Sequence, residues 1–286
     1  MTAFPRDIEQ DFDALMELMI IVINSRLNMP VEPEMEFLND IQTLSLKLFK
    51  QLCSTKSVSL GCVFQSKTGS AYEFIDQGSV SILARASIET FLTLHWLFSG
   101  DLELSRFRHR VWQYAGLADR VGHTATTDEG RVKQASAREQ QAELLPLIQS
   151  SEHFIKYSTK EQNQLLKGNW RVGWSWGEEA VRAGFHRKYF DNVYGYLCGY
   201  SHSSYISAMQ IGQAQDLPTQ ARMTEAGLQI SVHIMSHFIH LYASTFSPAS
   251  DLLNASESKH IAGLWHFKSD DMDQIFDWRA GEGADL

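Results

Sequence analysis

A chain of 286 residues, 44% of them hydrophobic, can bury a substantial core as one large domain or two small ones. Its 25 Lys and Arg against 34 Asp and Glu give a net charge of -9, which excludes a surface that gathers phosphate backbones or anionic lipid everywhere; any nucleic-acid contact has to be local. Three widely spaced cysteines, Cys53, Cys62 and Cys198, form no CxxC pair, which excludes a disulfide framework or zinc knuckle and points to a reducing cytoplasm.

Six prolines in the whole chain, and apolar residues recurring every three or four positions, predict an all-α fold: a multi-helix bundle with a central buried helix pair or triple and a peripheral helical excursion. No strand is expected. The first helix follows Pro5 over "RDIEQDFDALMELMIIVINSRL", whose acids and short apolar run do not read as an export signal. The second follows Pro33 through "EMEFLNDIQTLSLKLFKQLC" and pairs with the first as an antiparallel hairpin. Residues 57 to 78 hold three glycines and no period, the signature of a loop. A third helix runs from about Ser79 to Phe98, and a fourth starts after Gly100 with Asp101 as its N-cap. Residues 124 to 168 turn rich in Gln, Glu, Lys and Ser and read as solvated helices, the last capped by Ser158 or Thr159.

Core-like composition returns at "NWRVGWSWGEEAVRAGF", where Ser175 and Glu178 form a capping-box pattern. "HRKYFDNVYGYLCGYSHSS" continues as helix, and residues 219 to 247 form the last long one. The acidic tail, 251 to 286, docks in part through Trp265 and Trp278. One helical domain is expected, with a core of about 5–123 and 169–247 and an excursion of about 124–168. The longest spans poor in charge, 77–100 and 226–250, approach membrane-crossing length, but Arg85 and Glu89 in the first and three histidines in the second favour buried helices of a soluble protein.

Five groups of residues stand out. Arg85 and Glu89 are the only formal charges over 24 residues and share a helix face at i, i+4, with Leu92 and Trp96 beyond them. Two such charges have to pair, with each other or with a neighbouring helix, and serve either to fix helix register or to hold an anionic group beside a Glu base. Tyr194, Cys198 and His202, at i, i+4, i+8, make one polar stripe that suits the Arg–Glu pair as partner. His233, His237 and His240 stripe the last helix; with no carboxylate beside them they read as a polar seam sooner than as metal ligands. Trp170, Trp174 and Trp176 read as a packing anchor, and Arg106, Arg108 and Arg110, with His109 and Arg120, are the best candidates for RNA contact.

The ordered motifs "RASIETFLTLHW", "WSWGEEAVRAGF" and "YFDNVYGYLCGYSHSS" resemble the bacterial family called domain of unknown function 5677, over about residues 79 to 247. The resemblance implies a helical fold and a site list of Arg85, Glu89, Trp174, Tyr194, Cys198 where the family has Ser, His202 and Ser204; it implies no reaction. Helical-bundle ribonucleases of the HEPN type have four to six residues between an Arg and the His that follows it; "RAGFH" has three between and "RVGH" two, so neither fits. The alternative is a composite, metal-independent site with Arg85 steadying phosphate charge and His202 as acid–base. The expectation is an intracellular bacterial protein, associated with defence or stress, whose polar cluster serves structure or ligand binding. No cofactor and no membrane contact are expected; the partner is RNA, a second copy or another protein.

Overall fold

The computed structural model describes residues 7–33 and 35–272, and the chain divides into two compact units: one runs up to His95 and resumes at Trp176, the other is Trp96–Ser175. In the first unit, α1 (Ile8–Asn24) opens on Asp7, whose Oδ1 accepts from the backbone of Glu9 and Gln10. A short 3₁₀ turn leads into α2 (Asn39–Ser59). Next come β1 (Cys62–Gln65) and β2 (Ala71–Phe74), then α3 (Gln77–Phe98), whose last three residues belong to the second unit. After that unit follow α8 (Trp176–Arg182), α9 (Arg187–Ser201), α10 (Tyr205–Gln213), α11 (Leu217–Thr245), α12 (Ser247–Ala255) and α13 (Lys259–Trp265). No helix among the described residues is long and apolar enough to cross a membrane.

The expected loop at 57–78 is instead the end of α2 and a β-hairpin. "CVFQ" pairs antiparallel with "AYEF", Cys62 opposite Phe74 and Phe64 opposite Tyr72, across a turn in which Gly69 takes a φ of 89°. The alternation is only four residues long on each side, too short to stand out from aperiodic sequence. The expected antiparallel pairing of the first two helices holds. Their core is formed by Phe12, Leu15, Met19 and Val22 of α1 and Leu48 and Leu52 of α2, all fully buried.

α11 is buried nearly all round between Leu228 and Ile239, as a helix at the centre of a bundle has to be. Gly227 brings it against α3: a Cβ there would stand 2.9 Å from Val80 Cγ1 and 3.7 Å from Ala84 Cβ. Gly227→Ala is therefore expected to lower stability by about 1–3 kcal/mol through overpacking, in spite of alanine's better helix propensity. A thermal melt that rises for this variant would show that α3 and α11 have room to spare.

The second unit begins earlier than the expected excursion, because the fourth helix belongs to it. α4 (Leu102–Gly122) is capped by Asp101, which accepts from Leu104 N at 2.8 Å, as its sequence position foretold. It packs on α5 (Asp128–Gln149), and its Phe107 and Val111 join Ile148, Phe154, Leu165 and Val172 in a separate core. Two short helices, α6 (Glu152–Ile155) and α7 (Thr159–Leu165), complete the unit, and Ser158 with Glu161 forms a full capping box. The composition shift at 124 marks where the chain turns polar, whereas the boundary lies where α4 turns its apolar face to its own partners.

Candidate functional site

Within the first unit, α3 and α9 bring together three of the expected residues. Arg85 Nη2 lies 3.0 Å from Glu89 Oε1, one turn along α3. Tyr194, from α9, donates its hydroxyl to the same oxygen at 2.6 Å, and its ring faces the Arg85 guanidinium at 5.5 Å. Phe190 stacks on Tyr194 one turn earlier, with ring centroids 5.3 Å apart and nearly parallel, which holds the phenol in place. Burial and the adjacent Glu89 carboxylate push the Tyr194 hydroxyl well above its ordinary pKa, against the opposing pull of Arg85, so Tyr194 acts as a donor. Burial works against the charge of Arg85, but Tyr194, Glu89 and Cys198 outweigh it and raise its pKa.

The cluster differs from expectation in depth: Arg85 and Glu89 keep 23% and 32% of their side-chain surface, so it is half-buried and open to solutes. Glu89 spends Oε1 on both partners, and Oε2 has no hydrogen bond among the described residues. Arg85 Nε is enclosed and has no partner there either. A closed structural ion pair would satisfy both ends. This one leaves a donor and an acceptor uncommitted.

His202 does not join it. Gly199 and the residues after it end α9, and His202 becomes the C-cap, exposed, with no side-chain hydrogen bond among the described residues. The composite Arg85–His202 centre therefore lacks the contact it requires. Ser204 caps α10, its Oγ accepting from Ser207 N at 3.3 Å. Cys198 is half-buried one turn beyond Tyr194. Trp174 belongs to the other unit, where it stacks on Trp96 at 5.5 Å and meets Trp170 edge-on at 5.6 Å; these two of the three tryptophans pack as expected, while Trp176 starts α8 in the first unit. In that unit Arg106 pairs with Glu103 at 2.7 Å. Arg108 donates to the Trp96 carbonyl at 2.7 Å and so closes the end of α3. These two arginines have structural work, and Arg110 alone of the three has no hydrogen bond or ion pair among the described residues.

The histidine stripe is a seam, but a covered one. His233 Nδ1 donates to the Trp265 carbonyl at 2.8 Å, Ser236 to the Ala262 carbonyl at 2.5 Å, and His237 sits between the carbonyls of Ala183 (3.1 Å) and Phe267 (3.2 Å). His233 and Ser236 satisfy open carbonyls at the end of α13, and His237 donates to one of the two carbonyls that flank it. His266 stacks on His240, ring centroids 3.9 Å apart, making the group a quartet. No set of three or more His, Cys, Asp or Glu among the described residues is placed to hold a metal ion. Trp265 does dock the tail, its Nε1 donating to Asp11 Oδ2 at 2.8 Å; Trp278 lies outside the described residues.

One buried group escaped the reading of residues. Glu179 of α8 is 1% exposed, with Oε1 2.6 Å from His95 Nδ1 of α3 and Oε2 2.8 Å from Arg182 Nη1. The i, i+3 spacing of Glu179 and Arg182 was visible, but an exposed pair on a short helix has the same spacing. Comparison with known protein families, with characterised proteins and with solved structures finds no match for this chain.

Proposed function

We propose that this chain is a bacterial, cytoplasmic binding protein, associated with defence or stress, whose Arg85–Glu89–Tyr194 cluster takes a small polar ligand. The observation that carries the reading is the uncommitted pair of Arg85 Nε and Glu89 Oε2 on a half-open, formally neutral site. A neutral site attracts neither anions nor cations by charge. A ligand edge offering an acceptor to the exposed part of the Arg85 guanidinium and a donor to Glu89 Oε2, as an amide or a nucleobase does, fits such a site, and Tyr194 holds the carboxylate in position to receive it.

Thermal-shift and calorimetric titration with the common nucleosides, and with inorganic phosphate as control, tests it. A nucleoside is expected to raise the melting temperature of the full chain, with Arg85→Gln and Glu89→Gln each weakening binding by roughly tenfold to a hundredfold. Stabilisation by phosphate alone would replace this ligand class by an anion. Cleavage of a labelled RNA, lost in both Arg85→Ala and His202→Ala, would replace binding by catalysis.

A further inference from the structure

Exposed apolar side chains in the first unit concentrate in two stretches, the β-hairpin and α10. The hairpin register puts Phe64, Tyr72 and Phe74 on one face and Val63, Gln65, Ala71 and Glu73 on the other. An antiparallel ribbon with one aromatic face ordinarily buries that face, yet Phe64 and Tyr72 are 60% and 59% exposed. α10 is inverted in the same sense. The residue it buries is Ser207, 4% exposed, whose hydroxyl donates to the Ser204 carbonyl at 2.8 Å, while Tyr205 is 83% and Ile206 59% exposed, with Met209 also outside. Gln220 ties the two stretches together: its Oε1 accepts from Ile75 N, directly after β2, at 2.8 Å, and its Nε2 donates to the Ala214 carbonyl, directly after α10, at 3.0 Å.

We propose that this surface is a self-association interface, through which a second copy of the chain covers the aromatic face of the hairpin and the outer side of α10. Charge selects this occupant. Between Asp191 and Asp216 the chain has no Asp, Glu, Lys or Arg, and the one acid of the hairpin strands, Glu73, lies on the opposite ribbon face. Two copies of a chain with a net charge of -9 repel each other least across an uncharged patch, and a partner chosen by charge finds nothing there to read. Area agrees. Phe64, Tyr72, Phe74, Tyr205, Ile206 and Met209 together expose roughly 700 Å², close to the ~800 Å² that each partner of a stable pair buries. A two-fold pairing is closed, so it yields a dimer and not a filament.

Sedimentation velocity of the full chain over a wide concentration range tests the interface. The wild type is expected to pass from monomer to dimer as concentration rises. Phe64→Lys with Met209→Lys is expected to weaken the dimer by roughly a hundredfold or more, at unchanged helical circular dichroism. Should that double variant fail to fold, Tyr205→Glu, at the most exposed of these positions, reads the same loss. A wild-type chain that stays monomeric throughout, including one that instead binds a different protein, overturns the proposal. So does a dimer of undiminished affinity in the folded variants.

Discussion

Lowering the pH from about 7 to about 5 reduces the urea midpoint of the full chain, and the segment from α13 to Phe267 separates from α11 before the rest unfolds. The cause is the histidine quartet. Burial, opposed by the bond to Trp265 and aided by His266, brings the pKa of His233 down from 6.5 to about 4. Burial and then His233 bring His237 to about 3, against the two carbonyls that flank it; a neutral ring can donate to only one of them. Burial, His237 and His240 take His266 to about 3, with Lys268 acting in the same direction and Asp271 against it.

Since each folded pKa lies below the ordinary value, the unfolded chain takes up protons first as pH drops. Stability is complete above pH 6.5 and is lost progressively from there toward about 4 and 3. By pH 5 the two most deeply buried rings, His233 and His237, each account for about 2 kcal/mol, and the more open His266 adds less. Urea melts across this range, with hydrogen exchange on residues 259–267, measure the effect. An unchanged midpoint, or a His237 ring that titrates near the ordinary value, would exclude it.

The largest single-residue loss in the first unit is expected at Glu179. Its carboxylate is enclosed and meets His95 on one oxygen and Arg182 on the other. Arg182 is half exposed and can turn to water, but the His95 side chain keeps only 15% of its surface. Glu179→Ala leaves that imidazole N–H without the carboxylate and opens a cavity between α8 and α3, at a cost of about 3–5 kcal/mol. Glu179→Gln retains one acceptor and is expected to cost about half as much. Chemical denaturation of both variants gives the comparison; an alanine variant within about 1 kcal/mol of the wild type would mean that the pair is solvated after all.

The parts of the molecule legible in advance are those governed by near neighbours. Asp101 and Ser158 start helices wherever the rest of the chain lies, because the bonds they make reach only two or three residues. Arg85 and Glu89 were bound to pair, because one helical turn puts them within reach. Tyr194 was expected to face that pair and does, since the polar stripe of α9 had few other charged groups to meet. His202 shared the stripe, but its helix ends at that residue. Helical spacing aligns side chains only while the helix lasts. The hairpin was missed because four alternating residues carry too little periodic signal.

The amino-acid sequence by itself determined an all-α chain, the capped starts at Asp101 and Ser158, the Arg–Glu pair and the histidine face of its last long helix, because propensity, capping and i, i+4 proximity act within a few residues. Tertiary structure alone decided that the histidine face is covered by the carbonyls of residues 262–267, that Glu179 meets His95, and that the chain divides at Trp96. Each of these depends on which distant surface a helix face meets. Many distant surfaces would satisfy the same local pattern, and packing selects one of them.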